Sequence, residues 1–217
     1  MSLPRLHSTD LDTGVRELSG EESHHARHVL RLKPGCQVVL FDGLGSEAAA
    51  TVTAVQRNVL RVEVSQVIQR ERDSSTRLTL AVAPPRAYRQ NYLVEKCTEL
   101  GVDALWPITT QRNVSKPSEA TVARWSRRAL EALKQCGGYW LPTIEPVQEF
   151  SSTLDRIGEF DLALIAQPGA DSRSLGQALV DNDGARSVLV WVGPAGGWSE
   201  AEVEAAHGAG VRSIQLG

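Results

Sequence analysis

The segment that most constrains this chain runs Val188-Leu-Val-Trp-Val-Gly-Pro-Ala-Gly-Gly-Trp-Ser-Glu-Ala-Glu-Val203. Residues 188–192 are a run of β-branched and apolar residues, which reads as a buried strand. Gly193-Pro-Ala-Gly-Gly197 then breaks the strand, and an amphipathic segment begins at Ser199. Ser199 with Glu202 three residues later is a capping box, which marks a helix start. Strand, glycine loop and helix in that order predict an α/β unit. In such sheets ligands bind at the carboxyl ends of the strands, and glycine lets the backbone approach closely. A plain turn accounts for the loop equally well.

The loop holds no Lys or Arg and matches neither G-x-x-x-x-G-K-[ST] nor G-x-G-x-x-G. A pyrophosphate is therefore a poor ligand for it, and a nucleoside-like molecule held by backbone groups is a better one.

The rhythm of the chain changes near residue 75. Before it, Gln37–Asp42, Glu47–Val55 and Val59–Ile68 read as strands. In the last, Leu60, Val62 and Val64 alternate with Arg61, Glu63 and Ser65. Arg70 to Thr76 is a polar linker. Beyond it, strands at 77–83, 104–108, 161–166, 187–192 and 213–216 alternate with helices at 89–100 and 119–136, as in βαβ units with a mostly parallel sheet. The expected fold is α/β, with a small β-rich domain over residues 1–70 and a second domain over 75–217. Leu93, Cys97 and Leu100 form the expected buried face of the first long helix. Val122, Trp125, Ala129, Leu133 and Cys136 form that of the second.

Hydrophobic residues make up 41% of the chain and charged residues 23%, enough for a globular core and unlike a disordered chain. No apolar run approaches a membrane span, and residues 1–10 have no signal-peptide core. Three cysteines without metal spacing fit buried free thiols in a reducing cytoplasm, and no metal site is expected. The net charge of −3 hides an asymmetry: Arg86 to Lys134 carries nine Lys or Arg against five Asp or Glu, whereas Glu145 to Glu204 carries three against eleven. A basic stripe on an acidic chain points to a polyanion or to an ordinary solvated helix face. Arg112 follows a strand and suits a phosphate, and Arg128 lies on the basic helix face. His24 and His28 are an incomplete metal site, so His24, His25 and Arg31 are better read as contacts to RNA or to the other domain. No Ser-His-Asp or paired-carboxylate arrangement is visible, and the catalytic residues are unassigned.

Taken together, Glu95-Lys-Cys-Thr-Glu-Leu-Gly-Val102, Gln111-Arg-Asn113, Trp125 with Gln135-Cys-Gly137, Gly193-Pro-Ala-Gly-Gly-Trp-Ser199 and Ile214-Gln-Leu-Gly217 occur in the order of one family. The chain resembles the RsmE-type ribosomal RNA uridine-N3 methyltransferases of the SPOUT superfamily. His24-His-Ala-Arg-His-Val-Leu-Arg-Leu-Lys-Pro-Gly35 is similar to that family's amino-terminal signature. The resemblance implies a PUA-like β-barrel that helps hold RNA. It implies a SPOUT domain whose C-terminal part forms a trefoil knot, a topology no pattern argument supplies. It implies S-adenosylmethionine as methyl donor, with Leu164, Ala166, Gly193, Pro194, Gly196, Gly197, Leu216 and Gly217 in the matching segments. It further implies a cytoplasmic homodimer acting on one uridine of small-subunit ribosomal RNA or of the ribosomal subunit, with no membrane and no metal partner. Uridine N3 is weakly acidic, so positioning and electrostatics carry much of such a transfer.

Three positions depart from the family's pattern. Ala195 stands where the family usually has Glu, and Gly138 where it commonly has Arg. The family also continues beyond the position of Gly217 into a helix that closes the knot, so an incomplete knot and a weaker donor pocket are expected of these residues. A non-enzymatic RNA-binding protein on the same scaffold is the competing reading, and a small-molecule enzyme unrelated to RNA is a third.

Overall fold

The computed structural model describes residues 3–72, 75–169 and 173–216. The chain divides into two compact units, Met1–Asp73 with Leu130–Leu141, and Ser74–Ala129 with Pro142–Gly217.

The first unit is a five-stranded sheet of β1 (Arg5–His7), β2 (Gly14–Ser19), β3 (Gln37–Phe41), β4 (Ser46–Val55) and β5 (Val59–Gln69), in the order β1-β3-β4-β5-β2. β1 and β3 are parallel, and the other pairs are antiparallel. The expected barrel is realised as a ladder in which, among the described residues, β1 and β2 are edges; β1 is only three residues long. Register shifts at Ala49/Ala50 and Val52/Ala54 bend β4. Leu60, Val62 and Val64 face the core with Leu6, Leu18, Val38, Leu40 and Val52, as the alternation requires. The mixed-charge segment that showed no element from sequence forms α1 (Gly20–His24) and runs into a five-residue π-helical turn, His25–Val29. Ala26 and Leu32 anchor this turn in the core, and Arg31 leaves it at φ 52°.

Residues 130–141 join this unit although they lie more than sixty residues beyond its last strand. Lys134 pairs with Glu22, and Arg5 donates to the Gly138 carbonyl at 2.7 Å. The Trp140 ring covers Gly45, whose φ of 103° and 2.3 Å clearance exclude any side chain.

The second unit is an all-parallel sheet. Its strands are β6 (Arg77–Val82), β7 (Ala104–Thr109), β8 (Thr143–Ile144), β9 (Gln148–Glu149), β10 (Leu162–Ala166), β11 (Arg173–Ser174), β12 (Ser187–Val192) and β13 (Arg212–Gln215). They lie in the order β11-β13-β10-β12-β6-β7-β8, with β9 also on β7. Ala163, Ile165, Leu189 and Trp191 pack into one apolar cluster, and Leu162, Leu164, Val188 and Val190 into another. Successive residues thus bury opposite faces, which is why these strands read as continuous apolar runs.

Helices α2 (Ala87–Glu99), α3 (Glu119–Cys136), α4 (Phe150–Leu154), α5 (Leu175–Val180) and α6 (Glu200–Gly208) connect the strands. The buried face of α2 is Gln90, Val94, Cys97 and Thr98, and Leu100 is 83% exposed. Leu100 caps the helix, where Gly101 at φ 78° turns the chain away, so the helical period no longer sets its direction. Gln90 donates to the Pro85 carbonyl and accepts from Trp125 Nε1 at 3.0 Å, a buried polar link between α2 and α3. Burial pushes the Cys97 thiol up to about 11, so it is a packing group. Cys36 is half-buried and Cys136 exposed, in contrast to the expected three buried thiols.

Candidate functional site

Because the strands of the second unit are parallel and in register, their carboxyl ends meet along one edge. Val82, Val192, Ala166 and Ile214 form a row across β6, β12, β10 and β13. The Ala83 amide donates to the Val192 carbonyl at 3.0 Å, and the Gln167 amide donates to that of Ile214 at 2.9 Å. The segments after β6, β12 and β10 therefore emerge side by side, with the end of β7 next to β6 through the Val82–Pro107 pair.

The loop after β12 is a tight turn. The Gly197 amide donates to the Pro194 carbonyl at 2.9 Å, with Gly197 at φ 72°. Gly193 is required for a different reason. A Cβ there would lie 2.7 Å from the Trp198 indole, whose Nε1 donates to the Ala166 carbonyl at 3.0 Å. Trp198 thus fastens the β12 loop to the end of β10, and it also packs on Phe150 with ring centroids 4.9 Å apart. Gly196 is less constrained, since its added Cβ would make an ordinary contact at 3.5 Å with Arg112.

The predicted capping box is present. Ser199 accepts from the Glu202 amide, and Glu202 Oε2 accepts from the Ser199 amide at 2.8 Å. Its other oxygen accepts the Gln111 amide at 2.8 Å, so one carboxylate, only 7% exposed, ties the loop after β7 to the start of α6. Sequence pattern supplied the capping role; the second bond spans 91 residues and had no local signal.

Two cavities open at this edge. The smaller, about 200 Å³, is lined by Gln167, Trp198, Ser199, Glu200, Val203 and Glu204. Gln167 Oε1 is buried and has no hydrogen-bond partner among the described residues. The larger, about 480 Å³, is lined by residues of the loop after β7, of β9 and of α4, with Glu202 in its wall. Glu200 and Glu204 put two carboxylates on the smaller cavity, and among the described residues no lysine or arginine lines it.

The structure redistributes the predicted site residues. Ala166, Gly193, Pro194, Gly196 and Gly197 gather at the edge, and Leu216 lies just past β13, 59% exposed. Gly217 lies outside the described residues. Leu164 is wholly buried between β12 and β13, so it supports the sheet and has no surface for a ligand. Arg112, expected to grip phosphate, donates to the carbonyls of Trp198 at 3.1 Å and Gly196 at 3.4 Å, bracing the glycine turn. Arg128 pairs with Glu95, whose carboxyl is held below its ordinary range by Lys96 and by Arg128. Arg124 donates to Gln90, so much of the basic face of α3 is tied down internally. His24 and Arg31 are exposed in the first unit and His25 is half-buried; the His24 and His28 rings lie 4.5 Å apart. Among the described residues no cluster of His, Cys, Asp or Glu is suited to a metal, and no helix is long and apolar enough to cross a membrane.

Residues 72–217 match the family model described as an RNA methyltransferase domain, and residues 18–65 that of an RNA methyltransferase PUA domain. The chain is 30% identical over 217 residues to the ribosomal RNA small subunit methyltransferase E of Mycobacterium tuberculosis, covering 95% of this chain and 80% of that protein. It is 28% identical over 201 residues to the protein of the same name from Synechocystis, covering 92% of this chain and 66% of the relative. The crystal structure of a ribosomal RNA small subunit methyltransferase E from Neisseria gonorrhoeae, bound to S-adenosyl methionine, superimposes with a TM-score of 0.90 at 25% identity, covering 100% of this chain and 90% of that one. Fold, sequence and the crowded strand-end edge agree: the chain belongs to the ribosomal RNA small subunit methyltransferase E family of RNA methyltransferases.

Proposed function

We infer that this chain binds S-adenosylmethionine at the carboxyl edge of its parallel sheet and methylates N3 of a uridine in small-subunit ribosomal RNA. The observation that carries the reading is the edge itself: a glycine turn fixed by Trp198 and Arg112, beside a buried, unpartnered Gln167 acceptor. The donor supplies an activated methyl group on a sulfonium sulfur. The backbone of 193–197 and the end of β10 would hold its nucleoside part, and Glu200 and Glu204 would attract its positive charge. Trp198 and Phe150 keep water from the back of the turn.

The same reading places RNA contacts in the PUA-like domain, over residues 1–70 with His24, His25 and Arg31, and the transferase in residues 75–217. It includes a cytoplasmic homodimer and a knotted C-terminal segment. The exposed Ala195, where the family usually carries Glu, favours a second reading: a donor-binding RNA-binding protein that transfers slowly or not at all.

Calorimetric titration with S-adenosylmethionine, followed by incubation with unmodified small-subunit ribosomal RNA and mass spectrometry of its nucleosides, decides between them. 3-Methyluridine is the expected product. Donor binding with no methylated nucleoside would establish the second reading. No donor binding would overturn both.

A further inference from the structure

The larger cavity carries two charges that the fold does not use. Its lining includes Thr109, Gln111, Lys116, Glu149, Phe150 and Glu202. Of its two carboxylates, Glu202 already accepts from the Gln111 amide, the Ser199 amide and the Ser199 hydroxyl. Glu149 is exposed, and its carboxylate makes no hydrogen bond or ion pair among the described residues. Lys116 is likewise exposed, and its ammonium has no such partner. Glu149 is register partner to Thr109 in the parallel β7–β9 pair, so its side chain leaves the sheet beside the loop that opens the cavity. An unpaired anion and an unpaired cation on one concave surface, with the volume of an ordinary ligand pocket, suit a ligand with a donor at one end and an anion at the other.

A uridine nucleotide is such a ligand. Its N3–H is a donor and a weak acid, and its phosphate is an anion. We propose that this cavity receives the target uridine, with Glu149 accepting the N3 proton and Lys116 holding the adjoining phosphate. The assignment rests on the methyltransferase reading above. In the transfer the N3–H bond breaks and its proton passes to the Glu149 carboxylate. The N3 electron pair forms the bond to the methyl carbon, the carbon–sulfur bond of the sulfonium breaks, and its pair returns to sulfur as a neutral thioether. The cavity is placed for this. The ends of β7 and β12 are separated only by β6, about 10 Å. Glu202 and Arg112 join the loop after β7 to the glycine turn.

The test compares binding of uridine 5′-monophosphate, 3-methyluridine 5′-monophosphate and uridine to the full chain and to its Glu149→Gln and Lys116→Met variants. Both positions are exposed, and unchanged donor titration verifies that the variants are folded. The unaltered chain should prefer uridine 5′-monophosphate over its 3-methyl analogue by about tenfold, the worth of one charge-assisted hydrogen bond. Glu149→Gln should abolish that preference. Lys116→Met should abolish the preference for the nucleotide over the nucleoside. Single-turnover methylation by Glu149→Gln should fall on the order of a hundredfold or more. Failure of the unaltered chain to bind the nucleotide, equal affinity for the two nucleotides, or a Glu149→Gln rate within about twofold of the original would each overturn the assignment. The latter two results leave donor binding and methylation standing, so they are distinct from failure of the methyltransferase reading.

Discussion

β5 of the first unit and β12 of the second both build core, but in different rhythms. β5 buries every second residue between Leu60 and Val64 and turns Arg61, Glu63 and Ser65 to solvent. β12 buries Val188, Leu189, Val190 and Trp191 in succession. One strand has a single covered face; the other lies between β6 and β10 with apolar clusters on both faces. The difference decides where a ligand has room to enter. A sheet covered on both faces leaves only its strand ends open, and the glycine turn, the Gln167 acceptor and both cavities lie at the carboxyl ends.

An alanine scan measures that contrast most strongly. Trp191 is fully buried, and its Nε1 donates to Thr153 at 2.9 Å. Trp191→Ala should cost about 3–5 kcal/mol, with neighbouring Leu189→Ala and Val190→Ala also clearly destabilising. In β5 only Leu60, Val62 and Val64 should behave so, while Glu63→Ala stays within about 0.5 kcal/mol. Urea denaturation reads both series, and a neutral Val190→Ala would break the comparison.

The next effect is at the strand-end loops. Glu202→Ala leaves the Gln111 and Ser199 amides without their acceptor and should cost about 2–3 kcal/mol. It should also weaken donor binding, because the loop after β7 no longer braces the turn.

Within the glycine turn the effects should separate by position. Gly193→Ala drives a Cβ into the Trp198 indole and should cost about 1–3 kcal/mol, with loss of donor affinity. Gly196→Ala has room and should be nearly neutral in stability. Similar costs at the two positions would mean that Trp198 moves freely.

The smallest effect is a pH dependence at the opposite, amino end of β12. Asp161 accepts from the Arg186 amide and from the Ser187 hydroxyl and amide, and these bonds hold its carboxyl below the ordinary value of 3.8. A lowered folded value means that the contribution is present above pH 3.8 and is lost as pH falls through the folded value. Asp161→Asn should therefore lower stability at neutral pH and flatten the acid limb of the stability curve, measured by denaturation at stepped pH. An unchanged acid limb would show that Asp161 carries no linkage.

Much of the fold was legible because it is written in local periodicity. The alternation of 59–65, the apolar run of 188–192 and the capping box at Ser199 each give their element directly. The short strands β1, β8, β9 and β11 were not legible, because two or three residues carry no period. The buried face of α2 was misread at Leu100, since a cap follows the chain's exit and not the helical repeat. The site divided in the same way. Glycines of the turn were recognisable as types, but their roles were not: Gly193 makes room for an indole and Gly197 supplies a positive φ, whereas Gly196 does neither.

By itself the sequence determined the longer strands and helices, that the second unit has a mostly parallel sheet with buried strands, and that a glycine turn ends one of them. Those features depend on residues within a few positions of each other. The tertiary structure alone decided that Arg112 locks that turn, that Glu202 serves a loop 91 residues away, and that residues 130–141 complete the first unit. It alone brought Lys116 and Glu149 to one cavity. Each of these is a contact between segments far apart in the chain. A side chain's hydrogen-bonding capacity is fixed by its type, but its partner is fixed only when the strands are ordered across the sheet.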